Sequence, residues 1–179
     1  LPICWAGHDR LHVAVMPHSV YTTTAAQLTA CRELADELGL PLHIHLAETR
    51  QETALSLEQH GLRPVAHADR LGLLRPGTIL AHVVDVDADE IALLARRGVS
   101  VVHNPSSNMK LASGVAPVPA MLDAGVRLAL GSDGAASNNR LNMFTEMGRA
   151  ALLHKAAGDP ETMPARTVLD MATRGGAAA

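Results

Sequence analysis

Between Pro41 and Arg50 the sequence PLHIHLAETR sets two histidines two residues apart and a glutamate three residues after the second. Imidazole nitrogen and carboxylate oxygen are ligands that zinc accepts readily, and a carboxylate beside a metal-activated water can carry its proton. His43, His45 and Glu48 read either as one edge of a metal site with its own acid and base, or as a strand that happens to carry histidines. The spacing alone leaves both open, so further ligands must come from elsewhere in the chain. Candidates recur in MPHS (His18), LAHV (His82), VVHN (His103 and Asn104) and LGSD (Ser132 and Asp133).

Each candidate falls at the end of a short apolar run. Leu11–Met16, Leu42–Leu46, Thr78–Val84, Val99–His103 and Val126–Leu130 read as strands. Helical patterns separate them: Thr24 to Leu38 with Gly39 past its end, Thr49 to His60, and a segment capped by Asp87 with Glu90 three residues later and Gly98 as its stop. After His103 a long polar loop leads to a short helix near Val118 to Ala124, and helices near Asn142 to Ala157 and Pro164 to Thr173 close the chain. Five strands separated by helices predict an α/β fold with a parallel sheet and right-handed crossovers. An open doubly wound sheet and part of a (β/α)8 barrel both fit this order. Neither Rossmann nor P-loop glycine spacing occurs, which weakens a nucleotide-binding open sheet.

In parallel α/β folds the active site sits at the C-terminal strand ends, because the β-to-α loops open there. Five strands that each deliver a polar or ionisable side chain at that end therefore point to a functional site. His, His and Asp at separate strand ends suit a divalent metal. Glu48, one turn beyond His45, is placed to move a proton. Asp133 has a second reading, as a helix cap or turn residue in GSDGAASNN. Strand alternation points His43 inward with His45; the ligand reading goes to His45, nearer the mouth, and His43 is expected to be buried and hydrogen-bonded. His60, His67 and His154 are read as solvated surface histidines.

At 179 residues the chain suffices for one core, and a formal charge of −3 suggests neither a nucleic-acid face nor an acidic tail. The apolar runs are too short to span a bilayer, and no signal peptide is recognisable. Cys4 and Cys31 fit no metal spacing and no disulfide framework, so a reducing cytoplasm is the expected setting.

The segments MPHSVYT, HIHLAET, ILAHVVDV, VVHNPSSNMKLASGVAPV and GSDGAASNNRLNMF, in this order, resemble the metal-dependent deaminases of the amidohydrolase superfamily, especially the 5′-methylthioadenosine/S-adenosylhomocysteine deaminases. The resemblance covers nearly the whole chain and implies a partial (β/α)8 barrel, strands four to eight. It implies that His45 and Asp133 bind one divalent metal, zinc before iron. It further implies that Glu48 shuttles protons, that His82 stands near substrate and water, that Asp133 helps activate the water, and that His18 touches substrate. Asn104, Ser106 and Asn108 would hold loops and substrate in place. The implied activity is hydrolytic deamination of an adenosine thioether, a small-molecule substrate, by a protein that could be a homo-oligomer at full length. Guanine or cytosine deamination, triazine hydrolysis, and a non-catalytic ligand-binding α/β module are the rival readings. The family's H-x-H pair on its first strand has no counterpart before MPHSVYT. Residues 1–179 are therefore expected to be one partial barrel domain, short of two ligands and of its C-terminal part, and inactive alone.

Overall fold

The computed structural model describes residue 8 and residues 11–157 and 159–179. Four strands form one parallel sheet in sequence order: β1 (Leu42–Leu46), β2 (Thr78–His82), β3 (Ser100–His103) and β4 (Arg127–Leu130). Sequential order is what a barrel segment needs, whereas a doubly wound sheet reverses at a switch point. The expected strand at Leu11–Met16 does not build a ladder. It touches β1 only through isolated parallel bridges at Val15–Leu42 and, past Pro17, at Ser19–His45. Pro17 has no N–H to donate, so regular pairing cannot run through this stretch.

Helices connect the strands. α1 (Ala25–Leu38) starts at a Thr24–Gln27 capping box and stops at Gly39, whose φ of 63° costs a glycine little. α2 (Arg50–His60) and α3 (Pro64–Arg70) lie between β1 and β2. α4 (Ala88–Arg97), between β2 and β3, carries the expected Asp87–Glu90 capping box and ends at Gly98. α5 (Pro105–Lys110) and α6 (Val118–Asp123) join β3 to β4, and α7 (Met143–Leu153) and α8 (Ala165–Asp170) follow. α3 and α5 are helical where no helix is legible in the sequence. Both are under two full turns, start on a proline at the first helical position, and are too short to show a 3.6-residue repeat.

Burial alternates along β1: Leu42, Ile44 and Leu46 are fully buried while His43 and His45 are half-buried. One face of the strand thus enters the apolar core with Leu80, Val101 and Leu128, and the other carries the imidazoles. His43 departs from expectation, since its Nε2 is buried without a hydrogen-bond partner. His67 and His154 are buried rather than solvated, at 2% and 7% exposure. His67 stacks on half-buried His60 with ring centroids 3.9 Å apart and accepts from Arg70 at 3.1 Å. His154 packs beside His103. The stacking partners His60 and His103 come from other elements and leave no local trace. No helix among the described residues is long and apolar enough to cross a membrane.

After α8 the chain continues through a wide helical turn (Met171–Gly175) into α9 (Gly176–Ala178). A Cβ on Gly175 would lie 2.1 Å from the Leu128 carbonyl oxygen of β4, whereas one on Gly176 meets nothing within 4 Å. Gly175→Ala should therefore lower the urea unfolding midpoint, by about 1–3 kcal/mol of overpacking. Gly176→Ala should be neutral or slightly stabilising, because alanine is the better helix former. Equal effects of the two would show that the turn does not press on β4.

Candidate metal centre

Three side chains from different strand ends converge. One ligand atom each from His45, His82 and Asp133 lies within 4.8 Å of the others. Their backbones explain how they meet: Ala47 just after β1, His82 and Val83 at the end of β2, and Asp133 after β4 all take positive φ, between 48° and 75°. Non-glycine residues rarely adopt this region, and here it turns each chain sharply over the strand ends.

Hydrogen bonds fix the two imidazoles. His45 Nδ1 lies 2.8 Å from the His18 carbonyl oxygen, which can only accept, so Nδ1 carries the proton and Nε2 keeps its lone pair. His82 Nδ1 donates to Asn108 Oδ1 at 2.8 Å, and its Nε2 lone pair faces Glu48 Oε2 at 3.8 Å and Asp133 Oδ2 at 4.0 Å. Two carboxylate oxygens thus lie opposite the Nε2 lone pair of His82, with no proton of these three groups between them. A divalent cation, with an imidazole and a carboxylate from separate strands as ligands, fits such a donor set.

The carboxyls are held as well. Burial works against charge on Asp133, but donation from Ser107 Oγ at 2.6 Å and Ser137 Oγ at 2.7 Å outweighs it, and its pKa lies below the usual carboxylate value. Asp133 caps no helix; the turn reading survives in its carboxyl's bonds to Ser137 Oγ and to the Gly134 N–H. Glu48 Oε1 accepts from Ser113 Oγ at 3.1 Å. A cavity of about 360 Å³ opens beside Glu48, lined by Tyr21, Gln51, Leu55, Leu111 and Ser113 among others.

His18 is exposed and binds Thr22 Oγ1 at 2.8 Å; its ring lies 5.0 Å from that of His45, centroid to centroid. His103 does not join the group. It is fully buried, neither ring nitrogen has a partner, and burial beside His154 and His82 pushes its pKa down to about 3. Asn104 is buried and packs against Gly131, where a Cβ would meet its Oδ1. Sequence reasoning passes over Ser107, Ser113, Ser137 and Glu52. The only signal for the serines is the polar density of SSNMK, LASG and AASNN, and Glu52 looks like any first-turn helix glutamate.

Glu52 instead reaches back from α2: its two carboxyl oxygens accept from the Ala47 and Glu48 N–H groups at 2.8 and 2.7 Å.

The sequence profile of the Amidohydrolase family matches residues 3–179. The chain is 68% identical over 176 residues to a 5-methylthioadenosine/S-adenosylhomocysteine deaminase of Desulfovibrio desulfuricans, covering 98% of this chain and 40% of that protein. It is 50% identical over 172 residues to a 5′-deoxyadenosine deaminase of Methanothermobacter thermautotrophicus, covering 96% of this chain and 40% of that protein. Among solved structures, an adenosine deaminase from Xanthomonas campestris with bound zinc superposes at a TM-score of 0.95 with 47% identity, over 98% of this chain and 40% of that one. The chain thus spans about 40% of the length of these relatives. Its four-stranded sheet is a segment of the amidohydrolase (β/α)8 barrel.

Burial raises Glu52 from its ordinary 4.5 to about 7, against the two backbone donors that favour its charged form. A carboxyl with a raised folded pKa holds its proton more tightly folded than unfolded. Its contribution to stability is then full below pH 4.5 and is lost as pH rises through about 7. Urea unfolding between pH 4 and 8 should show this decline, on the order of 2–3 kcal/mol. Glu52→Gln should flatten it; a variant with the parent's full slope would assign the dependence to another group.

Proposed function

The chain belongs to the amidohydrolase family, and from that premise we propose that it is the metal-binding and proton-transferring part of a hydrolytic deaminase of adenosine thioethers. The convergence of His45, His82 and Asp133 within 4.8 Å, with Glu48 3.8 Å from His82, carries this reading. A divalent ion, zinc in preference to iron, would be held by His45 Nε2 and the Asp133 carboxylate. When bound, such an ion acts as a Lewis acid and lowers the pKa of water at an open coordination position.

The chain's own groups then handle protons and orientation. His82, with its proton on Nδ1 through Asn108, presents Nε2 as an acceptor and orients the attacking water. Glu48 takes one water proton on Oε2 and delivers it to the ring nitrogen beside the carbon that bears the amino group. Oxygen bonds to that carbon, the remaining hydroxyl proton passes to the amine through Asp133, and the C–N bond breaks to release ammonia. Ser113 holds the other Glu48 oxygen, so the shuttle swings about a fixed point. His18, exposed beside His45, is placed to touch substrate at the mouth. The substrate is a small nucleoside; the high identity to a deaminase named for methylthioadenosine and S-adenosylhomocysteine supports the thioethers over other heterocycles. The cysteine usage fits a cytoplasmic enzyme.

Glu48→Gln removes the proton carrier but none of the proposed metal ligands. In the full-length enzyme, ammonia release from S-adenosylhomocysteine, 5′-methylthioadenosine or 5′-deoxyadenosine should fall by roughly 10²–10⁴-fold, with bound zinc unchanged. Near-parental turnover in this variant would remove Glu48 from the mechanism.

A further inference from the structure

Glu146 is the most deeply buried acid among the described residues, and the proposed chemistry does not use it. Its side chain is fully buried on α7. Oε2 accepts from the Ser106 N–H at 3.1 Å, and Oε1 accepts from Ser106 Oγ and from Asn138 Nδ2 at 2.9 Å. Arg149, one turn along α7, donates to the same Ser106 hydroxyl. Asn138 is also fully engaged. Its amide gives its other proton to the Ser132 carbonyl at 2.8 Å, and its oxygen accepts from the Arg140 N–H at 3.0 Å.

The partners of Glu146 are the immediate neighbours of the groups that orient the metal centre. Ser106 precedes Ser107, which donates to Asp133, and Asn108, which fixes His82. Ser132 precedes Asp133, and Asn138 follows Ser137, its second donor. Two loops from different strand ends therefore meet on one carboxyl 0% exposed to solvent. We infer that Glu146 is a positioning residue for the metal centre: it locks the α5 N-terminus to the 131–138 loop and so sets the distance between Asp133 and His82. This rests on the metal-site reading above. A buried acceptor with three donors aimed at it is not replaceable by a group that donates, because a donor would be left unpaired in the interior.

Glu146→Gln tests this in the intact protein, since its amide sets an N–H group against one of those donors. Zinc affinity, measured with zinc alone by competition against a chromophoric chelator, should weaken roughly 10–100-fold, as for removal of an outer-shell partner. The turnover number should fall in parallel while KM stays within about threefold. Ser106→Ala, which leaves Glu146 and Asn138 in place, should give a smaller loss in the same direction, and it carries the test if Glu146→Gln does not fold. Combined with Ser107→Ala, the Glu146→Gln loss should be less than additive, because both act on Asp133. Asp133→Ala is the reference. If it leaves zinc affinity intact, the metal-site reading itself is wrong. If it abolishes zinc binding while Glu146→Gln, or failing that Ser106→Ala, lowers only the unfolding midpoint, Glu146 is structural and the inference is overturned.

Discussion

Neighbouring strands stop in a nearly common line, and the chain must leave the sheet at once. Leu46 pairs with His82 and His103 with Leu130, so the exits of β1 and β2 lie side by side. Each is made by residues in the left-handed region, among them Val83 at φ 48°, a strained choice for a β-branched side chain. Such residues cost on the order of 1–3 kcal/mol each and persist only where their surroundings hold them. Here the exits hold one another. The Ala47 carbonyl accepts from the Val84 and Asp85 N–H groups, the Leu46 carbonyl from Val83, and Glu52 takes the Ala47 and Glu48 N–H groups. The result is a rigid rim from which His45, Glu48 and His82 project.

The rim also separates two ways of keeping carboxyls inside the protein. Glu52, Glu90 and Glu146 are buried and each is met by donors: backbone N–H groups for Glu52, the Arg63 guanidinium for Glu90, Ser106 and Asn138 for Glu146. Glu48 Oε2 and Asp133 Oδ2 lie instead 3.8 and 4.0 Å from the unprotonated nitrogen of His82, and only the Asp133 oxygen is met by donors, Ser107 and Ser137. A folded interior tolerates clustered acceptors only if something positive is meant to stand among them. That clustering of acceptors at the strand ends is what the proposed cation site rests on, where a bare count of acids and histidines would not single it out.

The elements that position the site were largely legible in the sequence. β1 to β4 fall on apolar runs whose length and punctuation leave little choice, and α1 and α4 carry capping boxes visible as Thr24–Gln27 and Asp87–Glu90. Leu11–Met16 has the same apolar look but makes only isolated bridges, since strand character depends on a partner's register as well as on composition. The histidines were harder. His67 and His154 bury against histidines from other elements. Glu146 sits in MFTEMGRAALL, where only the i,i+3 pair with Arg149 is local; its hydrogen-bond partners are 40 residues upstream and 8 back in the chain. Long-range satisfaction of polar groups cannot be read from spacing.

His45, His82 and His103 illustrate how the histidines proposed for the site differ from one packed as structure. All three lie on or end a strand, and two are fully buried. Position therefore does not discriminate. The second nitrogen does. A ligand or an orienting base needs its other ring nitrogen tied, so that tautomer and ring plane are set before anything binds. His45 is tied by the His18 carbonyl and His82 by Asn108, each at 2.8 Å. His103 has neither nitrogen engaged and pairs only ring to ring with His154, 5.6 Å away. In such surroundings a proton is expelled and the imidazole packs as a slightly polar aromatic. His43 follows the same logic, with an unpartnered Nε2 two residues short of His45 on the same strand face. The residue types in HIH are equal; the carbonyl that the chain at His18 brings to only one of them makes the difference.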